Sequence, residues 1–294
     1  MKRRLLDRIH DRAWREAGEF LSSRRDREVV AETVDQSSSI SANMPWVTVC
    51  ADFADGKLGS HNFRRNPSVR DIVETVGATD GRFYAARIRE WDAGWLANRS
   101  VLAIDAWGNP IRWPGVLLGT SRAFSPTTLR YLATALWLRR SGYLEKGSQV
   151  VEIGVGFGGL AAMNALVSEA VTTLVDLPQV ERSAMRMLTD NGLGDYARLG
   201  ADHPGSDSRL VISNYAFTEL NADLQKEYFD KYLKHSPHGV IISNSAVFAD
   251  SIQGLPDGEL VAWFQAEGLA AKLESNNDLL SPCDHLSGVN LIHW

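Results

Sequence analysis

Cysteine is nearly absent: Cys50 and Cys283 are the only two in 294 residues. A pair so far apart offers no disulfide framework and no cysteine-rich metal site, and it excludes the three-cysteine motif of radical iron–sulfur enzymes. No run approaches about eighteen uninterrupted apolar residues, so no membrane span is expected. An excess of one charge is missing too. The 31 Lys and Arg against 36 Asp and Glu leave a formal net charge of −5, which argues against a general nucleic-acid binder. Arginine is dense near the start, yet Asp7, Asp11, Glu16, Glu19, Asp26 and Glu28 interrupt the basic run, the pattern of a solvated helix face. No apolar stretch follows the opening charges, so no secretory leader is expected and a cytoplasmic setting is. No internal repeat is visible.

What remains is ordinary globular material, 44% hydrophobic and 23% charged, sufficient for one large domain or a core with an appendage. The two halves read differently. Residues 1–122 are mainly helical and are expected to form a lid, substrate or dimerisation region. Ile9, Ala13, Ala17 and Leu21 make one helical stripe. Asn66 followed by Pro67 opens another helix over 67–76, and Trp91 and Trp95 lie four apart on a third. Trp107 and Trp113 follow; such indoles stack on sugar C–H faces, or more prosaically fill a helical core or a homodimer contact. From Ser125-Pro126, a capped helix to about residue 140, the chain alternates short apolar strands with helices. Strands are expected at 149–153, 172–175, 197–199, 210–213, 239–243, 271–275 and 289–293, with helices at 159–168, 179–191, 222–233 and 257–267. This predicts an α/β domain over 123–294: a Rossmann-like, doubly wound, mostly parallel seven-stranded sheet. The link between the last two strands is too short for a crossover helix, so they should pair antiparallel.

The most informative segment is Val151-Glu152-Ile153-Gly154-Val155-Gly156-Phe157-Gly158-Gly159. It satisfies G-x-G-x-x-G, which alone suggests a dinucleotide site, and also E-x-G-x-G-x-G. Electrostatics separates the two. A dinucleotide sets an anionic pyrophosphate on the helix start, where a carboxylate at the strand end would repel it. S-adenosylmethionine carries no phosphate; its ammonium can meet Glu152 while amides at the helix start take its carboxylate. Asp176, twenty residues after Gly156, is an acceptor for both ribose hydroxyls, with Leu177 placed to pack on adenine. That second mark fits NAD equally well.

On these residues the chain from about 125 to 294 resembles the class I S-adenosylmethionine-dependent methyltransferases. The resemblance implies that Asp202, after the third strand, faces the adenine and that Asn214, after the fourth, lines the donor site. Ser213-Asn214-Tyr215-Ala216-Phe217-Thr218-Glu219-Leu220, followed by Gln225 and Tyr228, is similar to a stretch of the sugar O-methyltransferase family. That likeness implies a small-molecule acceptor, the hydroxyl of a sugar or glycosylated metabolite, with no nucleic acid and no membrane involved. Tyr215, Phe217 and Tyr228 read alternatively as core aromatics. A D/N-P-P-aromatic motif of nucleic-acid methylation is not present after Asn214, and no carboxylate set for Mg²⁺ assembles, although Asp176 and Glu219 keep one open.

A sugar hydroxyl is a weak acid and needs a general base as its C–O bond forms. His285, beside Asp284 in the closing loop, is the first candidate, a surface histidine being the alternative. Glu219 is the second, with Tyr215 as an orienting hydroxyl. Two other readings remain: an NAD(P)-dependent oxidoreductase using the same loop, and a non-catalytic methyltransferase-like binding protein.

Overall fold

Proline in a first helical turn, with a polar residue accepting from the free amides behind it, starts two of the helices. The computed structural model describes residues 39–201, the backbone of Asp202, and residues 208–282 and 288–294; the stripe over 9–21 lies outside them. Helix α1 is Pro45–Ala54. In α2, Pro67–Val73, the Asn66 side chain accepts from the Ser68 amide at 3.0 Å. Helix α3 runs Ala78–Asp92 and α4 Arg99–Ala106. Ser125 then caps α5, Pro126–Arg140, as its Ser-Pro start predicts.

Beyond α5 the strands are β1 Gln149–Ile153, β2 Val171–Val175, β3 Ala197–Leu199, β4 Leu210–Asn214, β5 His238–Ser243, β6 Lys272–Glu274 and β7 Asn290–His293. They form one seven-stranded sheet in the order β3-β2-β1-β4-β5-β7-β6. The first five are parallel, and β7 runs antiparallel to both β5 and β6. This is the Rossmann-like, mostly parallel sheet with its antiparallel last strand. The helices among the strands are α6 Gly159–Ser168, α7 Pro178–Asp190, α8 Ala222–Tyr228, α9 Ser245–Ile252 and α10 Asp257–Ala266.

Period-two alternation divides the sheet's residues between two apolar layers. Val150, Leu174, Leu210, Ile212 and Val240 pack with α1, α5, α6 and α7. Val151, Ile153, Val211, Ile241 and Ile292 pack with Leu260 and Phe264 of α10. In register, Glu152 lies beside Leu174 and Ile212, so its side chain leaves on the first of these faces. Asp176 and Asn214, each two residues beyond those neighbours, continue that face, Asn214 as the last residue of β4 and Asp176 just past the end of β2.

Two local departures have physical causes. The helix expected over 222–233 ends at Tyr228 and continues as a π-turn, Phe229–Leu233, which lets Phe229 stack on Phe264 at 5.1 Å. Helix α9 was not apparent in the sequence: the side chain of Asn244, at its start, bonds Thr218 and Glu219 instead of the helix amides. Packing is continuous across residue 122, where the sequence reading divides a helical region from the sheet; α3 lies along α5, and Gly81 meets Pro126. No helix among the described residues is long and apolar enough to cross a membrane.

Candidate donor-binding site

The glycine loop turns sharply because Gly154, Gly156 and Gly158 all take positive φ, at 81°, 53° and 87°. Only glycine enters that region without strain. Gly154 has a second reason: a Cβ there would stand 2.0 Å from the Cβ of Ala216. The loop after β1 and the segment after β4 therefore meet backbone to side chain, which draws Glu152 and Asn214 to one place.

Glu152 is 2% exposed, and its Oε2 has no hydrogen-bond partner. Burial, and then the nearby Asp176 carboxylate, push its pKa well above the ordinary glutamate value. Asn214 is in the same condition, both atoms of its side-chain amide being buried and unpartnered. Leaving such groups unsatisfied costs stability. Asp176 instead folds back onto the loop, accepting from the Gly156 amide at 3.3 Å and the Leu177 amide at 2.7 Å. Burial outweighs those bonds and raises its pKa to about 7. Behind it, burial lifts the Cys50 thiol to about 12, beside Ser183 and Asp176. The structure thus brings together Glu152, Gly154, Gly156, Gly158, Asp176, Leu177 and Asn214, the residues named from the sequence as donor-binding candidates. Asp202 ends a short 3-10 turn after β3; its side chain, and all of Asp284 and His285, lie outside the described residues.

Tyr215 follows Asn214 at φ 71°, ψ −42°, a strained conformation for a non-glycine residue of the kind found at functional sites. Its amide donates to Ile242 and its carbonyl accepts from the Thr218 amide and hydroxyl. Glu219 is held by Asn244 Nδ2 at 2.7 Å, and burial raises its pKa. Phe217 is fully buried against Phe264, a core aromatic. Among the described residues no group of three or more His, Cys, Asp or Glu is placed to hold a metal ion.

Helices ahead of the sheet cover the loop, through residues that the sequence did not single out. Val73 of α2 sits over Gly156, 3.3 Å from where a Cβ would stand. Phe157 stacks on Trp107 at 6.2 Å, meets Tyr131 edge-on, and lies 4.4 Å beneath the Arg64 guanidinium. Arg64 is wholly buried; it pairs with Glu74 and donates to Ser125 at 3.1 Å and Thr128 at 3.2 Å. Arg130 of α5 is buried with its guanidinium 5.3 Å from the rings of both Tyr131 and Tyr215. By contrast, Trp91 and Trp95 pack on Arg140 and Arg139 at the far end of α5, away from the strand ends that carry Glu152 and Asn214.

The chain matches no protein-family model and no curated protein. Among solved structures, it is similar to an O-methyltransferase assigned in Nostoc punctiforme, at 15% identity over 74% of this chain and 72% of that one, with a TM-score of 0.41. A protein assigned as a sarcosine dimethylglycine methyltransferase from Galdieria sulphuraria is 16% identical over 51% of this chain, with a TM-score of 0.40. The match takes in 65% of that structure, so the chain spans just under two-thirds of its length. A Geobacter sulfurreducens methyltransferase in complex with S-adenosylhomocysteine gives 16% identity over 49% of this chain and 66% of that one, with a TM-score of 0.35. The fold assignment stands on the strand order and register of this chain.

Proposed function

We propose that this chain is an S-adenosylmethionine-dependent methyltransferase, acting on a hydroxyl of a sugar or glycosylated small metabolite. One observation carries the reading: Oε2 of the buried Glu152 carboxylate and both side-chain amide atoms of Asn214 lack partners on one face of adjacent strand ends, beside Asp176. The polar groups of a nucleoside with an amino-acid tail would satisfy them. Glu152 would take the ammonium, Asp176 the ribose hydroxyls on leaving the loop amides, and Arg130 the tail carboxylate. A dinucleotide fits less well, because its pyrophosphate would come beside the Glu152 carboxylate at the end of β1.

When bound, S-adenosylmethionine supplies an electrophilic methyl on a sulfonium. The acceptor oxygen forms the new O–C bond as the S–C bond breaks, the sulfur keeps that electron pair, and the hydroxyl proton passes to a base. The protein's share is to align the acceptor with the methyl and to hold that proton. Glu219 suits the proton's destination, since its raised pKa brings it nearer neutrality than an ordinary carboxylate; His285 is the other proposed base. The sugar acceptor is supported by the likeness of residues 213–220 to the sugar O-methyltransferase stretch.

Calorimetry with S-adenosylhomocysteine tests the donor site. The native chain should bind it, and Asp176→Ala should weaken binding by at least about tenfold, the loss of charge-assisted bonds to the ribose. Equal affinity in the two proteins would overturn the assignment. So would tighter binding of NADH.

A further inference from the structure

A recess opens at the same edge of the sheet as Asn214, two strands away. It is a cleft of about 1000 Å³ between α3 and the segments bordering β6 and β7, lined among others by Phe83, Arg87, Asn276, Asn277, Asp278 and Asn290. Its position follows from the sheet. Asn214 pairs with Ile242 on β5, and the next β5 residue, Ser243, pairs with Asn290 on β7. Two strand spacings of about 4.8 Å put the cleft roughly 10 Å along the edge from Asn214.

Its walls are fixed from behind. Asn290 Nδ2 donates to Asp257 at 2.7 Å, and the same carboxyl group accepts from the hydroxyls of Ser243 and Ser245. Asn277 is tied to Glu274 and to the Leu279 amide, and Ser281 donates to the buried Asp80 at 2.7 Å. The charges in the cleft are already matched: Arg87 pairs with Asp278 at 3.1 Å and with Glu90 at 2.9 Å, and stacks over Phe83 at 5.3 Å. A phosphate or carboxylate would have to displace those carboxylates from the arginine, and an aromatic, oily ligand would bury side-chain amides without satisfying them. A ring bearing many hydroxyls meets neither obstacle. Its hydroxyls exchange bonds with amides, serines and the outward edges of the ion pair, while its C–H face lies on Phe83, Leu280 and Val289.

We infer that this cleft is a subsite for a neutral polyhydroxylated ring, the sugar of the acceptor, with Phe83 as its apolar platform. Calling the ring an acceptor rests on the methyltransferase reading; the chemistry of the cleft does not. Saturation-transfer NMR with a panel of methyl hexopyranosides, recorded with S-adenosylhomocysteine present, tests it. Transfer to ring C–H protons should appear with the native protein. Phe83→Leu, which keeps an apolar side chain but removes the ring face, should weaken binding by about fivefold or more. Ser275→Trp, at an exposed lining position, should abolish it without touching the core. Both variants should bind S-adenosylhomocysteine as the native chain does.

Donor binding with no glycoside signal would overturn the cleft and leave the donor site standing. Glycoside signals unchanged in both variants would place the sugar elsewhere and also overturn it. Tighter binding of hexose 6-phosphates than of methyl glycosides would sink the neutral-ring assignment. Glycoside binding without donor binding would keep the subsite and remove its acceptor role. Nitrophenyl glycosides form the last arm: affinity above that of the methyl glycosides identifies a glycosylated metabolite as the source of the ring, and equal affinity identifies a free sugar.

Discussion

Glu152 is enclosed by protein, bears an oxygen with no partner and faces a second carboxylate. In that setting the folded chain keeps its proton to a higher pH than an ordinary glutamate would. A ligand that brings an ammonium to the same oxygen reverses the preference, so donor binding should release a proton and tighten as pH rises through the raised pKa. Calorimetry in two buffers of different ionisation enthalpy reads this directly. The native chain should give unequal heats, and Glu152→Gln should lose the release from this group and bind at least about thirtyfold more weakly, as for a truncated buried charge pair. Identical heats for the native chain in both buffers would remove Glu152 from the ammonium site. At this scale the sequence was partly legible. Glycine spacing reports positive φ because no other residue enters that region cheaply, so the loop announced itself. Tyr215 has no such signature: its φ of 71° is imposed by bonds to Ile242 and Thr218, which are distant or simply unspecified in a linear reading.

At the scale of elements, caps and prolines mark where α2 and α5 begin, and alternation marks the strands, because each is a local energy balance. What covers the loop is not local. Arg64 sits on a 3-10 turn, Glu74 just past α2, Asp105 in α4, and Ser125 and Thr128 at the start of α5; they converge only after folding. The result is a buried ion pair roofing Phe157, and its loss should be felt at both ends. Arg64→Met would strand the Glu74 carboxylate and is expected to cost about 3–5 kcal/mol of stability in urea melts. Adding Glu74→Gln should recover part of that, because the uncompensated charge goes with it. A single-variant cost below about 1 kcal/mol, with no recovery in the double variant, would show that the pair is ornamental to the loop. The same non-locality hid α9, whose starting residue spends its side chain on Thr218 and Glu219, and the cleft beside β7, whose lining comes from α3 and from both sides of the β6–β7 connection.

Taken as a whole molecule, the chain carries its titration inward. Asp105 and Asp176, ordinary at 3.8, are lifted by burial to about 6 and about 7, and Glu152 and Glu219 are raised as well. Unfolding releases all four into water, where they ionise near pH 4 to 4.5. Between those values and the folded ones the native state binds more protons than the unfolded state, so stability must fall as pH rises. The contribution is complete below about pH 4 and is lost as pH passes through about 6 for Asp105 and about 7 for Asp176. Glu274 and Asp230 are shifted downwards and act in the opposite sense, but they sit where solvent screens them and their window lies at the acid end. The ligand-free protein should therefore melt at least about 4 °C lower at pH 8 than at pH 5.5, a shift equivalent to roughly 1–2 kcal/mol in a chain of this size. S-adenosylhomocysteine should narrow that gap, since it stabilises more where Glu152 is ionised. Differential scanning fluorimetry across this range decides the matter: a melting temperature that is flat or rises towards pH 8 would mean that the buried acids are already ionised in the folded chain. The unpartnered Glu152 oxygen on which the proposed donor recognition rests would then be satisfied by the protein itself.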